Sequence, residues 1–449
     1  MTTDTKMSAS EMVELTKKHS FFSWSVQSQV NPIPMASAKG IYFWDADGKR
    51  YTDMNSQLMC VNIGHGDQRV IDAIKAQAEE LAYAGPGMAT RVRAGIGPMM
   101  AEITPGDLDT FFFTLGGAEA NENAIKMARE FTGRHKIVTR YRSYHGATAG
   151  AMTLTGDPRR WANEPSIPGV IRAFDPYKYR SHLYQEGDSD QVFSQKCLDQ
   201  LEETMMYEGP QTIAAVFIES VTGTNGLIVP PDGYLQGLRA LCDTYGILLV
   251  ADEVMAGLGR CGEWFAVDHW DVVPDIITMA KGLTSAYLPL GAVAINGKIA
   301  EYFQDHKFYG GLTYSAHPMS LAAAVANLKV MHEDDLVGNA RRMGSVMADL
   351  LADLKDKHPS VGDVRSIGLF GVVELVRDRA TKEPMAPFNG SSPEMAKLGA
   401  FFKENGLFVF VNWNNFFSNP PLCITESELR EAFEIFDAGL ALTDEAATI

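Results

Sequence analysis

The stretch ITMAKGLTSAYLPLG, residues 277–291, sets an apolar run against a lysine, a glycine and a small-residue turn. A short apolar run bounded by turn residues reads as a buried strand. Lys281 then stands at that strand's carboxyl end. A strand-end lysine is most often a surface residue, so any chemistry assigned to it rests on its surroundings. Those surroundings repeat the pattern. Short apolar runs at 111–114, 137–141, 214–220, 247–253, 276–280 and 292–295 alternate with amphipathic segments. One such segment is a helix from about Ala118, and another covers 232–246 and ends on glycine. Strands alternating with helices predict an α/β fold, a mostly parallel sheet covered on both faces.

Further out the texture changes. IYFWDADGKRYTDM (41–54) reads as a hairpin turning at Ala46-Asp47-Gly48. Beyond about 319 come a long helical stretch (319–358), a strand (370–376), a Pro/Gly/Ser-rich loop (384–393) and a helix–strand–helix end. This predicts a large domain over 60–320 and a smaller α+β domain built from 1–59 and 321–449. The 449 residues are too many for one ordinary core. A formal charge of −17 argues against nucleic acid as a partner. No run approaches the roughly 18 apolar residues of a membrane span. The N-terminal stretch lacks the apolar core of a signal peptide. Five cysteines, sparse and without metal-ligand spacing, point to a reducing, cytoplasmic setting and to no metal site.

In such a sheet ligands bind at the carboxyl ends of the strands, and three chemically loaded stretches fall there. Gly116 and Gly117 follow one strand and open a helix, where backbone N–H groups and the helix dipole favour phosphate, although a plain strand–helix turn looks the same. Asp252 and Glu253 close the strand LLVADEV (248–254), where a carboxylate needs a cation or donor unless it merely caps a turn. Lys281 in a partly desolvated position becomes a nucleophilic amine. A phosphate cradle, a carboxylate for a pyridinium nitrogen and a Schiff-base lysine together imply pyridoxal 5′-phosphate.

The motifs that carry these residues resemble those of the class III aminotransferases, pyridoxal-phosphate enzymes of fold type I. GGAEANENAIKMAR resembles the family's phosphate loop, ADEVMAGLGRCG its acidic strand and MAKGLTSAYLPLGAV its lysine segment. SYHGATAGAM (143–152), GGLTYSAHPMS (310–320) and NPPLCIT (419–425) match further family segments. The resemblance covers roughly 20–442 and implies a seven-stranded, mostly parallel sheet. VTGTNGLIVPPDGYL and TGDPRRW are most similar to the ω-amino acid–pyruvate and taurine–pyruvate branch.

The resemblance also implies roles. Lys281 would hold the cofactor as a Schiff base and act as base. Asp252 would keep the ring nitrogen protonated. Val254 and Tyr144 would pack against the two ring faces, Gly117 and Ala118 would donate N–H groups to the phosphate, and Glu219 would belong to the cofactor site. Thr313 would reach the partner subunit's phosphate, implying a homodimer or a tetramer. Phe22, Trp24, Met59, Tyr144 and Asn412 would line the substrate pocket. The implied reaction moves nitrogen from an ω-amino acid, a taurine-like compound or a primary amine to pyruvate, through a pyridoxamine phosphate form. Decarboxylation, racemisation, an aminomutase shift, and transamination to 2-oxoglutarate stay open on the same scaffold.

The chain departs from the family pattern at several points. Ala118 replaces a common serine or threonine of the phosphate loop. Ser220 stands where many members have proline, and Thr222 where glutamine is frequent. Met59 replaces a frequent tryptophan. No arginine occurs between Arg379 and Arg430, and Asn412 takes the place of the arginine that grips a substrate carboxylate. Arg91 and Arg160 are the candidates to replace it.

Overall fold

The structure, a computed structural model, describes residues 7–448. A helix, Ala9–His19, capped by the Ser8 hydroxyl, leads into three strands. These are β1 (Met35–Lys39), β2 (Tyr42–Asp45) and β3 (Arg50–Asp53). β2 and β3 pair antiparallel around the expected turn, where Gly48 has φ 87°, a conformation that suits glycine. Phe43 and Tyr51 stack across the pair with ring centroids 4.9 Å apart, the kind of cross-strand contact that sets register.

The central sheet holds β4 (Thr110–Thr114), β5 (Lys136–Arg140), β6 (Val170–Ala173), β7 (Ile213–Glu219), β8 (Leu248–Asp252), β9 (Ile276–Met279) and β10 (Gly291–Ile295). Their order is β4-β10-β9-β8-β7-β5-β6. β6, β5, β7, β8 and β9 run parallel. β10 is antiparallel to both of its neighbours, because its link to β9 has no helical crossover. Every residue of β7 and β8 is buried, which is why both read as unbroken apolar runs. The chain leaves β5 for the edge strand β6 and then returns to β7 on the other side. The crevice between β5 and β7 is therefore the switch point at which such sheets bind ligands.

The helical stretch expected over 319–358 is two helices, Pro318–Glu333 and Leu336–Lys357. Asp335, with φ 48°, breaks them apart. There follow β11 (Val361–Ile367), β12 (Phe370–Asp378), β13 (Glu383–Pro384), β14 (Leu407–Phe408), β15 (Val411–Asn412), β16 (Asn415–Ser418) and the helix Glu426–Asp444. β14 pairs in parallel with β3, so the C-terminal part completes the N-terminal sheet. The buried Arg260 joins the parts around the lysine segment. Its guanidinium donates to the carbonyls of Leu369 and Pro420, to Ser56 Oγ and to Asn62 Oδ1. Among the described residues no helix is long and apolar enough to cross a membrane.

Candidate active site

Parallel register brings the strand ends level. Glu219 lies opposite Asp252, and Asp252 opposite Thr278, three residues before Lys281. Asp252 is buried, and both of its carboxylate oxygens are held. Oδ2 accepts from Asn121 Nδ2 at 2.8 Å and lies 2.7 Å from His145 Nδ1; Oδ1 accepts from the Val254 N–H at 3.0 Å. A carboxylate can only accept, so the shared proton sits on His145 Nδ1. Asn121 Nδ2 also donates to the His145 carbonyl at 2.6 Å, and the His145 ring stands edge-on to Phe217. Two side chains thus hold one carboxylate still at the end of β8.

Lys281 adopts φ 36°, a left-handed conformation costing about 1–3 kcal/mol and found where a site needs it. Burial pushes its ammonium below the ordinary lysine value; Cys60, Asp252 and Glu219 oppose that shift and the Arg159 charge reinforces it. Its amine has no hydrogen-bond or ion-pair partner among the described residues. Glu219 ties two loops together: its oxygens accept the N–H groups of Tyr144 at 2.8 Å and Gly223 at 2.7 Å. Burial raises its carboxyl above the usual range.

The helix Gly117–Thr132 begins without a side-chain cap. A Cβ at Gly117 would lie 2.8 Å from Val254 Cγ1, so glycine is what lets Val254 seat against this loop. A Cβ at Gly146 would fall 2.5 Å from that of Ala118, which brings the Tyr144 loop onto the same helix start. Thr222 Oγ1 is buried without a hydrogen-bond partner. An uncapped helix start, an unpartnered amine, a held carboxylate and an orphaned hydroxyl fit pyridoxal 5′-phosphate.

The structure adds one residue that the motifs did not single out. The Arg159 guanidinium lies 3.7 Å from the Tyr144 ring centroid and donates to Thr224 Oγ1 at 2.9 Å. Its Nε and Nη2 face Asp157, while Nη1 has no hydrogen-bond partner among the described residues. Asn412 Nδ2 donates to the carbonyl of the same Thr224 at 3.1 Å. Arg159 therefore meets the same loop as Asn412, as Arg142 does through the Asn225 carbonyl and the Trp413 ring. Arg160 pairs with Glu164, and Arg91, with its side chain 86% exposed, pairs with Glu80. One signal was available in TGDPRRW: Asp157 starts a short turn, and Arg159 doubles back onto it.

The remaining residues divide. Trp24 stands edge-on to Tyr144 with centroids 6.3 Å apart. Met59 is buried in a cluster with Val221, Met255 and Phe417. Phe22 is partly buried and clipped by Gln27, whose side chain bonds both its N–H and its carbonyl. Thr313 is exposed, and its carbonyl accepts from the Tyr83 hydroxyl, so it does not join this chain's own cluster.

Residues 24–440 match the family described as aminotransferase class-III. The chain is 34% identical to the taurine–pyruvate aminotransferase of Bilophila wadsworthia, over 94% of this chain and 95% of the relative. Among solved structures it resembles the taurine:2-oxoglutarate aminotransferase from Bifidobacterium kashiwanohense in complex with PLP and glutamate. That likeness has 42% identity, covers 98% of this chain and 99% of the other, and has a TM-score of 0.95. It also resembles an (S)-enantioselective omega-transaminase from Thermomicrobium roseum, with 39% identity, coverage of 96% and 98%, and a TM-score of 0.90.

Proposed function

The chain belongs to the class III aminotransferases, pyridoxal-phosphate-dependent transaminases, and we propose that it moves the amino group of a taurine-like or ω-amino acid donor to pyruvate. The observation that carries the donor class is the free edge of Arg159 over Tyr144. It offers a cation to a sulfonate or carboxylate tail in the place where Asn412 cannot. The taurine-acting relatives support the same class. The second reading keeps the donor and takes 2-oxoglutarate as acceptor, as the relative from Bifidobacterium kashiwanohense does by its description.

Bound pyridoxal 5′-phosphate supplies an electrophilic carbon and a ring that withdraws electrons. The chain's own residues do the rest. Gly117 and Ala118 offer N–H groups to the phosphate at a positive helix end. Asp252, held by His145 and Asn121, keeps a proton on the ring nitrogen. Val254 and Tyr144 would confine a bound ring. Lys281, its ammonium destabilised by burial, is the amine that holds the cofactor. Its Nζ takes the proton from the donor's amine-bearing carbon and returns one to the acceptor. Glu219 keeps the Tyr144 and Gly223 loops in register. Trp24 bounds the pocket beside Arg159.

We read 60–320 as the cofactor-binding domain, with 1–59 and 321–449 as the smaller one, a division that the β3–β14 pairing supports. The exposed Tyr83 and Tyr314, edge to face beside Thr313, support a homodimer in which Thr313 serves the partner's phosphate. A panel of taurine, β-alanine and putrescine against pyruvate and 2-oxoglutarate tests the reading through the alanine or glutamate formed. Amino transfer from putrescine alone would overturn the anionic-donor assignment. Glutamate without alanine would move the acceptor to the second reading.

A further inference from the structure

A cavity of about 290 Å³ opens at the carboxyl ends of β5 and β6, apart from the residues around Lys281. The strand ends deliver Tyr141 and Arg142 from one side and Phe174 from the other, and Tyr177, His182 and Leu183 continue the wall. Phe174 is 64% exposed and Tyr141 42%, with ring centroids 5.4 Å apart. Two exposed aromatic rings beside a cavity are the kind of apolar surface that a ligand covers.

The charges around this cavity do not balance. Arg180 on its wall is paired with the buried Glu374, which also meets Arg365. Asp175 accepts the Arg142 backbone N–H at 2.8 Å and has Arg140 4.0 Å away. Arg142 itself has no carboxylate partner among the described residues. Its guanidinium donates to one carbonyl, that of Asn225, at 3.2 Å. The faces of Tyr177, Phe388 and Trp413, with centroids 5.0–5.6 Å away, hold it in place. A guanidinium fixed by aromatic faces and left unpaired is preorganised for a carboxylate.

We propose that this cavity is a second ligand site, for a small planar carboxylate whose ring rests against Tyr141 and Phe174 and whose carboxylate meets Arg142. The volume lies at the lower end for small-molecule pockets, roughly 300 Å³ upward, and admits one substituted benzoate. The site does not depend on the donor or acceptor assigned above.

The probe is 4-bromobenzoate, with the cofactor-loaded enzyme. Crystals soaked in it should show the bromine's anomalous peak against Phe174 and Tyr141, with the carboxylate on Arg142. In solution, saturation-transfer NMR titration should give binding that weakens about tenfold or more in Arg142→Gln, the loss of a charge-assisted hydrogen bond. Phe174→Ser, which removes an exposed ring, should weaken binding while leaving the fold intact. A bromine peak only near Lys281, or no binding, would overturn the proposal. So would unchanged affinity in a folded Arg142→Gln, or inorganic phosphate binding as tightly as the probe.

Discussion

Replacing Arg159 by leucine removes the cation that lies over the Tyr144 ring and that we propose for the donor's anionic tail. A hydrogen bond to a charged group contributes about 1.5–3 kcal/mol. At about 1.4 kcal/mol per factor of ten, kcat/KM for a sulfonate or carboxylate donor should fall roughly 10- to 150-fold. The substitution has two other consequences. Asp157 loses its ion-pair partner, but it keeps the backbone N–H of residue 159 and Asn225 Nδ2 at 3.0 Å. Tyr144 loses a cation–π contact of about 0.5–2 kcal/mol, which shifts the ring for every substrate alike. The decisive quantity is therefore a ratio. Initial rates of alanine formation are measured with taurine and with ethylamine, which lacks the sulfonate, in parent and variant. Effects on folding or on Tyr144 cancel between the two donors, whereas loss of an anion contact does not. If the taurine-to-ethylamine ratio is unchanged in a folded, cofactor-loaded variant, Arg159 does not bind the donor's tail and the donor class loses its structural support.

Lys281→Ala should abolish the visible absorbance of the bound cofactor and lower turnover by several orders of magnitude, because nucleophile and base are the same amine; near-parental turnover without added amine would contradict this. Asp252→Asn should retain cofactor but lose about a thousandfold in turnover, read by single-turnover absorbance, since asparagine keeps the shape and not the charge. Ala118→Ser should restore a hydroxyl at the helix start and slow cofactor loss on dialysis by roughly 2- to 10-fold; unchanged loss would mean that residue 118 does not face the phosphate. Burial raises the Glu253 carboxyl to about 7, despite N–H donors at Ala266 and Val267. The unfolded chain then binds fewer protons than the folded one between about 4.5 and 7. Glu253 thus contributes stability below that window that is lost as pH rises through about 7, with a slope of up to about 1.4 kcal/mol per pH unit. Urea midpoints across pH 5–8 should fall less steeply in Glu253→Gln, and parallel curves would refute the shift.

Much of the molecule was legible because its signals are local. β7 and β8 are buried along their whole length, so their apolar runs could be nothing but interior strands. Helix ends at Gly117 and Gly246 carry their own punctuation, the second with φ 58°. The edge strand β6 has four residues, three of them only partly buried, and such a run carries no pattern strong enough to read. The helix Asp190–Glu208 buries Phe193, Cys197 and Leu201 at a spacing of four, a signal that was there but lay amid many polar residues. The break at Asp335 escaped because neither glycine nor proline marks it, and an aspartate that accepts a left-handed backbone looks like any other polar residue of a helical pattern.

By itself the sequence determined the alternation of buried strands with helices, the cofactor chemistry and the placing of Asp252 and Lys281 at strand ends, since strand-end residues follow directly from where an apolar run stops. It also exposed the missing arginine, because Asn412 is a difference in residue type at one position. Tertiary structure alone decided which side chains meet around that position. Arg159 and Asn412 are far apart along the chain and meet only at Thr224, where the 157–160 turn and the β15 edge converge on one loop. His145 and Asn121 likewise reach Asp252 from separate segments, and no spacing rule connects them. Strand ends are set by neighbours in sequence, whereas the direction of a long side chain is set by whatever the fold packs against it.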